Sequence, residues 1–275
     1  NPRNARTRLA SLPDSAAGAG RIEPASVARA NGLIMLITDF GSRGYLLGSL
    51  KGAIYGAYPE ARIDSLTHDI PKFDIDEAAQ TLALSTADFP AGTVFVAVVD
   101  PGIGRPRNPI ALETANGHLY LAPDNGILTQ VAIRYRVKRV HEISNPAYLR
   151  ASVQSSTYLS RDVFGPAAGA LARGVDLGEL GPPCSSLYLL TSSPARLEEQ
   201  QVVGTVSLID GFGNVHTNIR EAHLQELGIR IGDPIEVSVG ERRFQARHVK
   251  TFRDVEPGAH LAMVGSHEEI QLAIN

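Results

Sequence analysis

Two acids and an arginine give this chain its first hint of chemistry. Asp39 in "ITDFG" and Asp100 in "VVDPG" each close an apolar run and are followed by a glycine turn, and Arg107 comes seven residues after Asp100. In open parallel sheets ligands bind just outside the carboxyl ends of the strands, and a carboxylate there can take both hydroxyls of a ribose. An acid after one strand is as often a helix cap or a loop hydrogen bonder. Two such acids, with an arginine within reach of one, weigh toward a site. No G-x-G-x-x-G or Walker sequence is present, so nothing supports phosphate cradling. The eight histidines show no HxH or HxxxH spacing, which argues against zinc, and no G-x-S-x-G supports a serine hydrolase.

A second group lies in "DGFGNVHTNI" (210–219), where Asp210, Phe212, Asn214, Thr217 and Asn218 crowd together. Asparagine offers a donor and an acceptor to an adenine edge, and phenylalanine offers a stacking face. A plain Asn/Gly hairpin is the competing account. "APDNGIL" (122–128) reads as a tight turn feeding a helix, with Asp124 or Asn125 as its cap.

The elements around these groups follow from periodicity. "GLIMLITDF" and "TVFVAVVD" are apolar runs too short for helices and read as buried strands, and "ARIDSLTHDI" also reads as strand. "GYLLGSLKGAIYGAY" has helical spacing, with Leu46, Leu50, Ile54 and Tyr55 on one side. "DIDEAAQTLALSTADF" reads as a helix with Asp74 or Asp76 near its start, and "DNGILTQVAIRY" as another helix. "PIALETANGHLYLAP" reads as a hairpin turning at Asn116-Gly117. Such alternation predicts an α/β domain over 32–190 with a mostly parallel sheet covered on both faces. Residues 1–31 read as an extension and 191–200 as a linker. From 201 to 275, short alternating strands with glycine-rich turns and a short helix, "REAHLQELG", predict a small β-barrel or sandwich.

Bulk properties exclude several classes. With 26 basic and 29 acidic residues the net charge is −3, which argues against a nucleic-acid surface. Cys184 is the sole cysteine, so no internal disulfide forms. No apolar run approaches the roughly 18 residues that span a bilayer. A cytoplasmic location is expected; an exported form stays open, because the chain starts at Asn and carries the 1–31 extension.

Taken together, "TDFG…KG", "HDIPKFD", "VVDPGIGRPR", "APDNG", "TYLSRDVFGP", "DGFGNVHTNI" and "GSHEEIQLAIN" resemble the S-adenosylmethionine hydroxide adenosyltransferases, hydrolytic relatives of the bacterial fluorinase and chlorinase. The resemblance runs over about residues 33–275. It implies a larger α/β domain with a small C-terminal β-barrel, assembled as a homotrimer with the site between one chain's large domain and its neighbour's barrel. It further implies that Asp39 holds both ribose hydroxyls and that Phe73 and Tyr158 wall the ribose. Phe212, Asn214 and Phe252 match the adenine pocket. Asp210 and Ser266 match the group that holds the amino-acid end of methionine, and Ser160 and His267 join the substrate-binding set. Asp100 and Arg107 resemble two members of an Asp-Arg-His trio that delivers water. Halogenating members carry Tyr where this chain has Asp100.

The chain departs from the family's hydrolases at three places. Leu159 stands where they carry histidine, Ser160 stands where they carry glycine and the fluorinase carries serine, and Gly44 replaces an acid. The resemblance implies hydrolysis of S-adenosyl-L-methionine to adenosine and L-methionine with no metal or cofactor. Two alternatives are a non-catalytic protein that binds S-adenosylmethionine or adenosine, and a halide-using enzyme, which only Ser160 suggests.

Overall fold

Side-chain alternation along two central strands sets the layering of the larger domain. The protein is described by a computed structural model covering residues 4–8, 30–102, 108–151, 157–191 and 193–275. It divides into two units, Asn1–Thr191 and Ser192–Asn275.

The first unit contains β1 (Asn4–Arg8), β2 (Leu33–Thr38), α1 (Leu46–Ala57), β3 (Arg62–Thr67), α2 (Ile75–Ser85) and β4 (Val94–Val98). It continues with β5 (Pro109–Thr114), β6 (Leu119–Pro123), α3 (Thr129–Tyr135), β7 (Val137–Glu142), α4 (Gly165–Ala172) and β8 (Ser186–Leu190). The main sheet has the order β3-β2-β4-β6-β5-β7. β2, β3, β4 and β6 pair in parallel, while β5 pairs antiparallel with both β6 and β7. Ile34, Leu36, Val94 and Val96 point into one core cluster with Leu50 and Ile54 of α1 and Ala167 and Leu171 of α4. Met35, Ile37, Phe95 and Ala97 point into the other, with Leu82 of α2 and Val131 of α3. The sheet is therefore covered on both faces, and each fully buried Leu or Ile contributes about 1.5–3 kcal/mol.

α1 and α4 pack closely because α4 presents glycines. A Cβ on Gly165 would lie 2.8 Å from the Ala53 Cβ, and one on Gly169 would lie 2.8 Å from that of Ala57. Chain order and sheet order together place a topological switch between β2 and β4. α1 leads from β2 to β3 on one side, and α2 carries the chain back past β2 to β4. The crevice beyond such a switch is the ligand position of open α/β sheets.

The second unit contains β9 (Arg196–Glu198), β10 (Gln201–Val203), β11 (Val206–Ile209), β12 (Val215–Arg220), α5 (Glu221–Glu226), β13 (Pro234–Val239), β14 (Arg242–His248), β15 (His260–Val264) and β16 (Glu269–Ile274). Six strands form a curled sheet in the order β11-β12-β16-β15-β14-β13. This half-barrel refines the expected barrel: among the described residues no ladder joins its edge strands, β11 and β13.

Several local expectations change. Tyr55 is not on the buried side of α1, where Leu50 and Ile54 are the buried residues. β1, within the 1–31 extension, pairs antiparallel with β8, and β9, within the expected linker, pairs antiparallel with β10 just beyond it. Asp74 caps α2, its Oδ1 accepting from the Glu77 N–H at 2.9 Å. Neither Asp124 nor Asn125 caps α3, whose N-cap is Leu128; Asn125 closes a turn by accepting from the Ile127 N–H instead.

Candidate active site

Asp39 follows the last residue of β2 and is only 8% exposed. Its Oδ2 accepts from the backbone N–H of Phe73 at 3.0 Å, while no described residue donates to Oδ1. Phe73 reaches this position with φ of +68°, a conformation that costs a non-glycine residue roughly 1–3 kcal/mol. The next residue, Asp74, begins α2, so the helix start and the carboxylate are fixed together. Lys72 Nζ donates to the backbone carbonyl of Asp39. His68 joins the ends of β2 and β3: its Nδ1 lies 2.9 Å from Thr38 Oγ1 and its Nε2 lies 2.7 Å from Ser65 Oγ. Burial holds the His68 imidazole below its ordinary pKa, with Lys51 adding to the effect and Asp69 opposing it. The result is a rigid frame around one carboxylate with one oxygen still open to a ligand.

Asp100 lies across the switch. Thr38 pairs with Val98, which places Asp39 and Asp100 one and two residues beyond that rung. Asn125, itself buried, donates from Nδ2 to the Val99 carbonyl at 2.8 Å and so pins the strand end from β6. Asp100 Oδ1 accepts from the Gly102 N–H at 3.0 Å, a turn-forming bond that occupies one oxygen. Arg107 lies in 103–107, outside the described residues.

Tyr158 is tied to the segment after Asp39. Its hydroxyl donates to the Leu46 carbonyl at 2.6 Å, its ring meets Tyr45 edge to face at 6.2 Å, and Arg161 sits over the ring at 4.7 Å. Ser160 is buried and opens a π-helical turn, Ser160–Phe164, a feature that often marks functional sites. Within that turn Arg161 holds the buried Asp162 through two bonds, of 2.6 and 2.9 Å. Leu159 packs against the first core cluster of the large domain.

In the second unit, one carboxylate organises the 210–214 loop. Asp210 Oδ1 accepts from the N–H groups of Phe212 and Asn214, both at 2.9 Å, and Oδ2 accepts from Asn214 Nδ2 at 2.8 Å. Burial would raise the Asp210 pKa, but bonds from the Asn214 side chain and from the Asn214 and Phe212 backbones outweigh it, and the net shift is downward. The loop holds Phe212 out in solvent, 95% exposed. Ser266 and His267 sit in the turn between β15 and β16, where the His267 N–H donates to Glu269 Oε2 at 3.0 Å. Phe252 packs on the cluster of Val249, Leu261 and Ala273.

The structure thus joins Asp39 to Phe73, ties Tyr158 to the start of α1, and gathers Asp210, Phe212 and Asn214 in one loop. Thr217 and Asn218 turn out to be structural: Thr217 bonds the Ile270 carbonyl, and Asn218 accepts from the Thr205 N–H and donates to the Ser193 carbonyl. Lys72, His68 and Asn125 were not foreseen as supports. They act through backbone carbonyls or across strands, and only the clustering of "HDIPK" after a strand pointed toward them.

Known proteins are similar to this chain over both of its units. The SAM hydroxide adenosyltransferase N-terminal domain matches residues 34–181 and the SAM hydroxide adenosyltransferase C-terminal domain matches 204–275. The chain belongs to the SAM hydroxide adenosyltransferase family. The (R)-S-adenosyl-L-methionine hydrolase of Salinispora arenicola (strain CNS-205) is 35% identical over 245 residues, spanning 88% of this chain and 90% of that protein. A fluorinase of Nocardia brasiliensis (strain ATCC 700358 / HUJEG-1) is 26% identical over 271 residues, spanning 88% and 90%. A crystal structure of an uncharacterized conserved protein from Thermotoga maritima superposes with a TM-score of 0.83 at 35% identity, covering 88% of this chain and 92% of that one.

Proposed function

We propose that this chain hydrolyses S-adenosyl-L-methionine to adenosine and L-methionine by attack of water or hydroxide at the ribose C5′. Asp39 carries the reading: a buried carboxylate at the sheet's switch, with one oxygen fixed by Phe73 and the other open to the ribose hydroxyls. The identity to hydrolases, higher than to the fluorinase, supports water as the nucleophile.

In this reaction the water oxygen bonds to C5′ as the C5′–S bond breaks, and methionine leaves as a neutral thioether. No general acid and no metal is needed. What remains is to hold C5′ in line, exclude bulk water and supply one oxygen. In this account Asp100 binds that water and takes its proton. A carboxylate about 4 Å from the nucleophile position disfavours a halide there by ~1–4 kcal/mol.

The account includes a homotrimer in which one chain's Asp39 region meets a neighbour's 210–214 loop. Phe212, held in water as a whole ring, is better explained by such a cover than by a monomer. Light scattering at micromolar protein tests this, and a monomer that still binds adenosine well would refute it.

A second reading, binding without turnover, draws on Leu159, which packs on the core where a polar water ligand is expected. Chromatography of adenosine and methionine after incubation with S-adenosylmethionine separates the two, with each sulfonium epimer offered alone. The hydrolase reading expects both products in equal amounts, with or without chloride or fluoride. Binding with no products would favour the second reading, and halide-dependent nucleoside release would refute both.

A further inference from the structure

The two substrate loops of the second unit share a polar connection through a residue that the proposed reaction does not use. His216 lies in β12, directly opposite Gln271 of β16, and is largely enclosed. Its Nε2 lies 3.5 Å from Asp210 Oδ2, on the carboxylate that shapes the 210–214 loop. On the other side, its Nδ1 lies 3.2 Å from Glu269 Oε1 and 3.1 Å from Gln271 Nε2. Gln271 Nε2 also donates to Glu269 Oε1 at 3.2 Å, and Glu269 Oε2 accepts the His267 N–H at 3.0 Å. The path from Asp210 through His216, Gln271 and Glu269 to His267 is continuous.

The turn over this network is fitted to it. A Cβ on Gly265 would lie 2.4 Å from Glu269 Oε1 and 2.5 Å from Gln271 Nε2, so a side chain there would push these two buried groups out of place. The Gly265 N–H also donates to the Glu269 carbonyl at 2.7 Å. Glu269 is 8% exposed. Burial would raise its pKa, but its own backbone N–H, Gln271, His216 and the charge of His267 outweigh that and hold it low. An ionised, buried carboxylate with this many donors is a fixed point rather than a surface ornament.

We infer that His216 is a positioning residue: with Nε2 toward Asp210 and Nδ1 accepting from Gln271, which also donates to Glu269, it locks the Phe212–Asn214 loop to the Ser266–His267 turn, so that the two present one preformed surface to the nucleoside and methionine ends of the substrate. The inference rests on the hydrolase reading for the identity of that substrate. The network itself touches no reacting atom. Its loss removes binding shared equally by ground state and transition state, which raises KM and leaves kcat unchanged.

The test uses the full chain and three variants, His216→Leu, His216→Gln and Gly265→Ala. His216→Leu and Gly265→Ala are expected to raise KM for S-adenosylmethionine about tenfold with kcat nearly unchanged, and His216→Gln, which keeps a donor and an acceptor, recovers most of the loss. Native-state hydrogen exchange at the Gly213, Asn214 and His267 amides reads the lock without any turnover, and protection at all three should fall together in His216→Leu. If His216→Leu does not fold, Gly265→Ala gives the same readouts from a surface turn. Unchanged KM together with unchanged exchange in folded variants would overturn the inference, as would a loss confined to kcat. A wild-type protein that releases no adenosine yet loses protection at both loops in His216→Leu would refute the hydrolase reading and leave the lock standing.

Discussion

The carboxylates of Asp39 and Asp210 differ in what they have left to give. Asp39 uses one oxygen on Phe73 and leaves the other open. Asp210 makes three hydrogen bonds inside its own loop and faces His216 with what remains, which takes up the four lone-pair sites of a carboxylate. In the proposed reaction the first takes the ligand, while the second shapes the 210–214 loop.

The largest test of this contrast is Asp39→Ala. Losing two charge-assisted bonds to the ribose is expected to weaken adenosine binding by ~2–4 kcal/mol, as calorimetry would register, with a smaller loss of fold stability from the one unpaired Phe73 N–H. Asp210→Ala should show the opposite emphasis. Leaving the Phe212 and Asn214 donors unpaired costs ~1–3 kcal/mol in denaturant stability, with a smaller loss of affinity than Asp39→Ala. If Asp210→Ala cost more affinity than Asp39→Ala at no stability, the contrast would collapse and Asp210 would be a direct ligand.

A smaller effect is expected at Leu159. Because that side chain packs on the core, Leu159→His should lower stability by ~1–2 kcal/mol with no faster adenosine formation. A tenfold faster variant would show instead that the position faces the attacking water.

The smallest effects concern pH. His68 and His118 are both held below their ordinary pKa by burial, so the unfolded chain binds more protons between the folded values and about 6.5, and stability rises with pH through that window. Melting temperature should therefore climb modestly from mildly acidic to neutral pH, and His68→Asn should flatten part of the slope. Asp210 and Glu269, both lowered, contribute stability that is present above about pH 4.5 and lost as pH falls through their folded values. Acid melts would show that loss last.

Much of the scaffold was legible because it is local. The short apolar runs "LIMLIT" and "VFVAV", alternating with helical patterns, announced a sheet buried on both faces, Asn116-Gly117 announced the hairpin, and Asp74 announced the start of α2. Asp39 was legible as an acid at a strand end beside the switch. The supports were not legible, because they depend on register between distant segments: His216 and Glu269 are 53 residues apart, and one slipped rung would turn one of them to the other face. Lys72 works through a backbone carbonyl and Phe73 through a left-handed backbone, and neither leaves a compositional mark. Whether the edges of the C-terminal sheet meet was not legible, because alternating strands look alike either way.

The central claim, that this site delivers water to C5′, is tested most directly by turnover in water enriched in heavy oxygen. Mass spectrometry of the products should find one heavy oxygen in adenosine and none in methionine, and Asp100→Asn should abolish the signal while adenosine binding stays nearly intact. Label in methionine, a halogenated nucleoside, or full activity in Asp100→Asn would contradict the account.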